Sequence, residues 1–234
     1  MKAIDELLGG VAHSFNDALN PPVIKKKIAT VVIAIPSGDM VHAHFAMSLA
    51  GMCYSPGARI AITNGQSSVV AAARNQCVDA ALQLSTEYLF FLDSDMIFPV
   101  HTLARLLSHN KDIVGGTYVR RHPPHLMLGH FKGSPEKIDT TVDLIEMDAM
   151  PTGCLLIKTE ILRRMKRPIF RFGVDELANE IIGEDITFCR MARKLGYTVW
   201  LDMPLSMQLK HIGSYAYSIA EMVAEKQIAT QENG

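Results

Sequence analysis

Asp93, Ser94 and Asp95 are the residues of this chain best suited to chemistry. They close an apolar run, Tyr-Leu-Phe-Phe-Leu over residues 88–92. Such a run suits a strand buried on both faces, and the two acids then fall at its C-terminal tip. In open α/β sheets that edge is where ligands bind. Two aspartates flanking a serine can share a hard divalent cation, since Mg²⁺ and Mn²⁺ prefer oxygen ligands and often bridge to phosphates. An Asp-x-Asp met alone is more often a turn cap with one acid in solvent. Here the buried strand and three further features reverse that balance.

The first feature is Gly183-Glu184-Asp185, directly before an amphipathic segment. Acids at a helix start are favourable on the helix dipole and can be no more than a cap. A carboxylate held there and aimed into a cleft can also act as a general base, contributing roughly 10²- to 10⁴-fold. The second is Pro151-Thr152-Gly153-Cys154, whose glycine would let the backbone approach a ligand closely, or simply leads into a strand. The third is His211, within Leu-Lys-His-Ile-Gly. A histidine among apolar neighbours is usually structural, yet an imidazole can complete the shell of an ion such as Mn²⁺.

These groups must be positioned by elements, and the hydrophobic pattern supplies them. Residues 4–19 read as a short amphipathic helix ended by Asn20-Pro21-Pro22. Residues 28–35 read as a first strand, broken by Pro36-Ser37-Gly38-Asp39. A helix over 41–51, a strand over 59–63 closed by Asn64-Gly65, and a helix over 67–84 follow, the last with Val70, Ala73, Cys77, Ala81 and Leu84 at helical spacing. After the strand ending at Asp93, Pro99 opens a helix through Leu107, and 113–118 is a strand. This β-α-β-α-β-α-β alternation predicts a mostly parallel sheet covered on both faces. Residues 119–150 are rich in Pro, His, Gly and charge and read as an excursion or hairpin. Beyond them lie a strand over 154–157, a helix over 159–165, a helix over 184–195 capped by Gly196, strands over 198–202 and 208–212, and a surface helix from Ser218.

Size and composition bound the rest. The 234 residues fit a single domain with a full core. A net charge of −1 gives no bulk field for nucleic acid or membrane surfaces. The four cysteines are scattered among apolar neighbours without Cys-x-x-Cys spacing, as expected for reduced core thiols in a cytoplasmic protein. No apolar run is long enough to span a bilayer, so no membrane insertion is expected, and residues 1–20 have no signal-peptide core.

In this order the features resemble the nucleotide-sugar-dependent glycosyltransferases of the GT-A fold: first strand, Arg-Asn on a helix (Arg74, Asn75), Asp-x-Asp, glycine loop, Glu-Asp before a helix, then a late histidine. The resemblance spans about residues 28–213 and implies an α/β, Rossmann-like, mostly parallel central sheet flanked by helices, with a smaller acceptor-side sub-sheet. It implies a single catalytic domain over 1–234: a lead-in over 1–25, a nucleotide-binding half over 28–118, an acceptor-binding half over 119–215 and a C-terminal tail over 216–234. The implied donor is a nucleoside-diphosphate sugar, UDP-sugar favoured, with Mn²⁺ or Mg²⁺ as cofactor. Asp95, Asp93 and His211 would hold the metal, with Asp95 coordinating directly and Ser94 at the same donor edge. Ile35, Pro36, Ser37 and Asp39 would border base and ribose, Arg74 would lie near the phosphates, and Gly153 would face donor and acceptor. Asp185 would be the catalytic base of an inverting enzyme, with Glu184 supporting it or the acceptor.

The chain departs from the family pattern after its first strand, where Pro-Ser-Gly-Asp-Met replaces the usual polar segment, and it lacks the Gln-x-x-Arg-Trp of processive synthases. The cationic segment from Arg120 to His125 is either a solvated loop or a contact for an anionic acceptor. Nucleic acid stays open as an acceptor. Three other readings compete. One is a retaining transferase in which Asp185 only positions substrate. Another is a sugar nucleotidyltransferase, against which stands the lack of a Gly-rich loop after the first strand. The third is a binding module with a degenerate site.

Overall fold

The computed structural model describes residues 28–219, apart from 55, 122–123, 134–137, 177–178 and 214–215. The expected N-terminal helix over 4–19, and nearly all of the helix expected from Ser218, lie outside these residues.

Eight strands form one sheet in the order β2-β1-β3-β8-β5-β11-β7-β6. They are β1 (Thr30–Ser37), β2 (Arg59–Gln66), β3 (Tyr88–Leu92), β5 (Ile113–Gly115), β6 (His130–Phe131), β7 (Leu144–Ala149), β8 (Cys154–Lys158) and β11 (Val199–Asp202). β1, β2 and β3 pair in parallel, as do β5 and β11, while β8 and β7 run against their neighbours. Two side sheets accompany it among the described residues. One pairs β9 (Gly173–Asp175) with β10 (Glu180–Ile182); the other joins β4 (Met96–Ile97), β12 (Lys210–Ile212) and β13 (Ala216–Ser218). This is the Rossmann-like α/β architecture of GT-A type that the sequence predicts.

Alternation along the strands explains the layers. Val31, Ile33, Phe90, Leu92, Val114 and Leu156 face one side, with Phe45 and Met52 of helix α1 (Ala43–Tyr54) and Leu103 and Leu106 of α3 (Thr102–Ser108). Val32, Ala34, Leu89, Phe91, Ile113 and Ile157 face the other. There they meet α2 (Val70–Gln83), α4 (Thr159–Arg164) and α5 (Glu184–Lys194). A short helix, α6 (Met203–Ser206), follows β11.

Among the boundaries that differ from the sequence expectation, three stand out. β1 passes through Pro36 to Ser37. Its pairing with β3 ends at Ala34, so beyond that point only β2 accompanies it, and a proline needs just one side free of ladder bonds. β2 passes through Asn64-Gly65 rather than turning there. A Cβ on Gly65 would stand 2.2 Å from the Ala73 carbonyl oxygen, so this glycine serves close contact between β2 and α2. The predicted strand over 113–118 stops at Gly115, and Thr117 and Tyr118 begin a hairpin instead, with Leu128 N donating to Tyr118 O and Val119 bridging Met127.

Candidate functional site

β3 delivers Asp93 to the C-terminal edge of the sheet, where its amide donates to the carbonyl of Gly153 at the head of β8. The backbones are packed tightly here. A Cβ on Gly153 would fall 2.3 Å from Tyr118 Oη and 2.8 Å from Asp93 Oδ2. The glycine thus leaves room for both the tyrosine hydroxyl and the aspartate.

The acids of the Asp-Ser-Asp turn to different partners. Asp93 meets Arg74 of α2, with Nη2 3.2 Å from Oδ1. Arg74 is only 4 % exposed, and its Nε donates to Glu184 Oε1 at 3.1 Å. Its third nitrogen, Nη1, is buried without a hydrogen-bond partner among the described residues, and its guanidinium lies over the Phe91 ring at 5.5 Å. Burial opposes its charge, but Asp93 and Glu184 together outweigh it and raise the guanidinium pKa. A single buried cation therefore ties the acidic strand tip to the start of α5.

Asp95 turns to His211, with Oδ2 3.4 Å from Nε2. The pairing of β4 with β12 sets this up, because His211 lies opposite Met96 and the Ile212 amide donates to the Asp95 carbonyl at 2.7 Å. His211 Nδ1 is 2.9 Å from the Val119 carbonyl oxygen, which can only accept, so Nδ1 carries a proton and Nε2 faces the acid. Arg121 reaches the same oxygen, Nη1 to Oδ2 at 3.0 Å, from a half-exposed position. Burial acts to raise the Asp95 carboxyl; His211, then Arg121, outweigh it and hold it below the usual aspartate range.

Asp185 opens α5. Its Oδ1 accepts from the Ile186 amide at 2.7 Å, while Glu184 beside it is taken by Arg74. Burial pushes the Asp185 carboxyl up, the Ile186 amide opposes this, and the charge of Glu184 adds to it. Tyr118 lies among all of these groups. Its hydroxyl is held well above its ordinary pKa by burial, then by the charges of Asp93, Asp95 and Asp185, with Arg74 opposing. Its ring meets His211 edge-on at 4.7 Å. Nothing in the sequence marks Tyr118; its place follows from the hairpin it starts.

The other expected residues are placed as follows. Ile35, Pro36 and Ser37 are buried at the end of β1, and Ser37 Oγ accepts from Asn64 Nδ2 at 2.6 Å. Asp39 is exposed beyond them, and the Ser94 carbonyl accepts from the His42 amide at 3.3 Å. Asn75 is a structural clamp. Its Oδ1 accepts from the amides of Ile169 and Phe170, and its Nδ2 donates to the Phe170 carbonyl at 2.7 Å. Phe170 stacks on Phe188 of α5 at 4.9 Å, so Asn75 helps seat the helix that carries Asp185. All four cysteines are free, with burial pushing Cys154 and Cys189 up to about 12.

A second polar cluster had no sequence signal. Asp202, fully buried at the end of β11, accepts from Arg105 Nε at 2.5 Å and Nη2 at 3.0 Å, and caps α6 through the Leu205 amide. His109 Nε2 is 2.7 Å from the same carboxylate.

Among the described residues no group of three or more His, Cys, Asp and Glu side chains is placed to hold a metal ion. With Asp93 turned to Arg74, the chain offers Asp95 and His211. A carboxylate and an imidazole together would suit a borderline ion such as Mn²⁺, with substrate phosphates and water filling the rest of its shell. No helix among the described residues is long and apolar enough to cross a membrane.

No family model matches the chain, and none of the curated proteins compared with it does. Among solved structures it is similar to A197 from STIV, with a TM-score of 0.56 and 20 % identity over 80 % of this chain and 86 % of that one. That likeness defines the fold. A mannose-1-phosphate geranyltransferase from Thermus thermophilus aligns at a TM-score of 0.34 and 12 % identity over 58 % of this chain and 61 % of that one, too distant to carry an argument.

Proposed function

We propose that this chain is a nucleotide-sugar-dependent glycosyltransferase, moving a sugar from a nucleoside diphosphate, UDP favoured, to an acceptor hydroxyl with inversion. The observation that carries this reading is the convergence of Asp93, Asp95, Asp185, Arg74 and His211 around Tyr118 at the carboxyl edge of the sheet. Ligands of open α/β sheets bind at that edge.

Each residue then has a task. Asp95 and His211 hold a Mn²⁺ or Mg²⁺ ion, which when bound neutralises charge on the departing diphosphate. Arg121, half-exposed beside Asp95, supplies a further cation toward the same phosphates. Arg74 acts from beneath: by engaging Asp93 and Glu184 it keeps the donor edge and the start of α5 in fixed relation. The buried end of β1, at Ile35 to Ser37, borders the base and ribose. Asp185 takes the acceptor proton. Its elevated pKa makes it a stronger base than an ordinary aspartate once ionised.

Thermal unfolding with UDP, with and without Mn²⁺, tests the reading. UDP at about 100-fold over its Kd adds roughly 2.7 kcal/mol. Asp95→Ala removes the Mn²⁺-dependent part of the shift. Asp185→Ala keeps the shift and lowers transfer from a UDP-sugar by roughly 10²- to 10⁴-fold. Absence of any UDP-dependent shift in the unaltered protein would sink the reading.

A further inference from the structure

Asp185 lines a cavity of about 290 Å³ whose other walls include Met127, Leu128, Met150, Pro151 and Ile186. The hairpin that begins at Tyr118 builds one wall, through Met127 and Leu128, and the same hairpin carries Arg121 to Asp95. The start of α5 builds the opposite wall with Asp185 and Ile186. One supersecondary unit thus spans from the Asp95–His211 pair to the space in front of the carboxylate.

The lining is mostly apolar. Those five side chains offer no hydrogen-bonding group except the weakly accepting methionine sulfurs. Arg120 and His130 also line the space, Arg120 with its Nε engaged by the Pro124 carbonyl at 2.6 Å. A sugar hydroxyl turned toward those five side chains would be buried without a partner, at about 1 to 3 kcal/mol for each. An apolar group loses nothing there, and methionine adapts its shape to such occupants. The volume lies just under the roughly 300 to 1,000 Å³ of small-ligand pockets. It holds one ring or a short chain, not an oligosaccharide.

We propose that the cavity seats the apolar body of the acceptor, a compact alkyl or aryl alcohol whose hydroxyl is presented to Asp185. This rests on the transferase reading above. Asp185 Oδ1 is engaged by the Ile186 amide, so Oδ2 is the atom that receives the proton. As the acceptor O–H gives up its proton, its oxygen forms a bond to the anomeric carbon. The bond from that carbon to the diphosphate oxygen breaks, and its electron pair leaves with the nucleoside diphosphate.

The test uses the full chain, with p-cresol as apolar probe and glycerol as polar control, followed by ligand-observed NMR, and UDP with Mn²⁺ followed by thermal shift. The expected result is p-cresol binding at least tenfold tighter than glycerol. Ile186→Asn and Leu128→Asn, each shown folded by circular dichroism, should each weaken p-cresol at least fivefold. A UDP shift without preference for p-cresol overturns the acceptor assignment and leaves the transferase reading standing. Preference that survives both substitutions overturns it as well. No UDP shift at all removes the transferase reading, and this assignment falls with it.

Discussion

Arg74 Nε donates to Glu184 Oε1 at 3.1 Å across 110 positions of sequence, and the same guanidinium meets Asp93 at 3.2 Å. A buried cation is thereby compensated from both sides, and two acids that would repel each other are held near one point.

Removing that cation should be costly. Breaking a buried ion pair by deleting one partner typically costs about 3 to 5 kcal/mol. Arg74→Met keeps the bulk and the contact with Phe91 but leaves Asp93 and Glu184 facing each other. Urea unfolding should show a loss in that range. A loss under about 1 kcal/mol would mean that solvent reaches the acids and that Arg74 does not organise the site.

Asp95 and Asp185 should respond to pH with opposite signs. The folded state depresses the Asp95 pKa, so its contribution is present above the ordinary aspartate value of about 3.9 and fades as pH falls through the lower folded value. The folded state raises the Asp185 pKa, so its ionisation opposes folding increasingly as pH rises from about 3.9 through the folded value. At neutral pH, Asp95→Asn should lower the melting temperature and Asp185→Asn should raise it. Both differences should shrink in melts below the ordinary aspartate range. A stabilising Asp185→Asn that is inactive in transfer would mark a residue kept for chemistry at the expense of stability.

Gly153 has no room for a methyl group. Gly153→Ala drives a Cβ into Tyr118 Oη and Asp93 Oδ2, and overpacking of this kind costs about 1 to 3 kcal/mol. Gly38, beyond the end of β1, has no heavy atom of the described residues within 4 Å of its would-be Cβ, so Gly38→Ala should stay within about 0.5 kcal/mol. Paired thermal melts compare the two. Equal effects would mean that the packing around Tyr118 is looser than described.

Asp202 should matter to stability without belonging to the candidate site. Asp202→Ala deletes the cap of α6 and strips Arg105 and His109 of their shared acceptor, a loss of about 3 kcal/mol. Asp202→Asn retains an oxygen for the cap and should lose less. Denaturant midpoints of the two variants settle the order, and a milder Ala variant would contradict it.

The local pattern was enough for the β-strands buried on both faces. Residues 31–35, 88–92 and 154–157 are apolar on both alternating faces because helices cover both sides of the sheet. The helix from Glu184 was legible from Phe188 and Ala192 on one stripe and from Gly196, which adopts φ +89° just after it. Strand ends were not legible, since partners decide them: β1 continues past Pro36 only because β2 does. Nor was the antiparallel insertion of β8 between β3 and β5, a choice of neighbour made across the whole segment from Leu92 to Cys154.

The same division runs through the site. Sequence alone determined which residue types are present and which element ends they occupy: acids at the tip of β3, acids at the start of α5, a late histidine. Burial patterns and helix signals act over a few residues, and those positions follow from them. Only the tertiary structure decided who meets whom. It sent Asp93 to Arg74 and Asp95 to His211, placed Tyr118 among three carboxylates, and opened a mostly apolar cavity beside Asp185. Ion pairs and cavities depend on desolvation and distance, and those quantities exist only once remote segments have packed together.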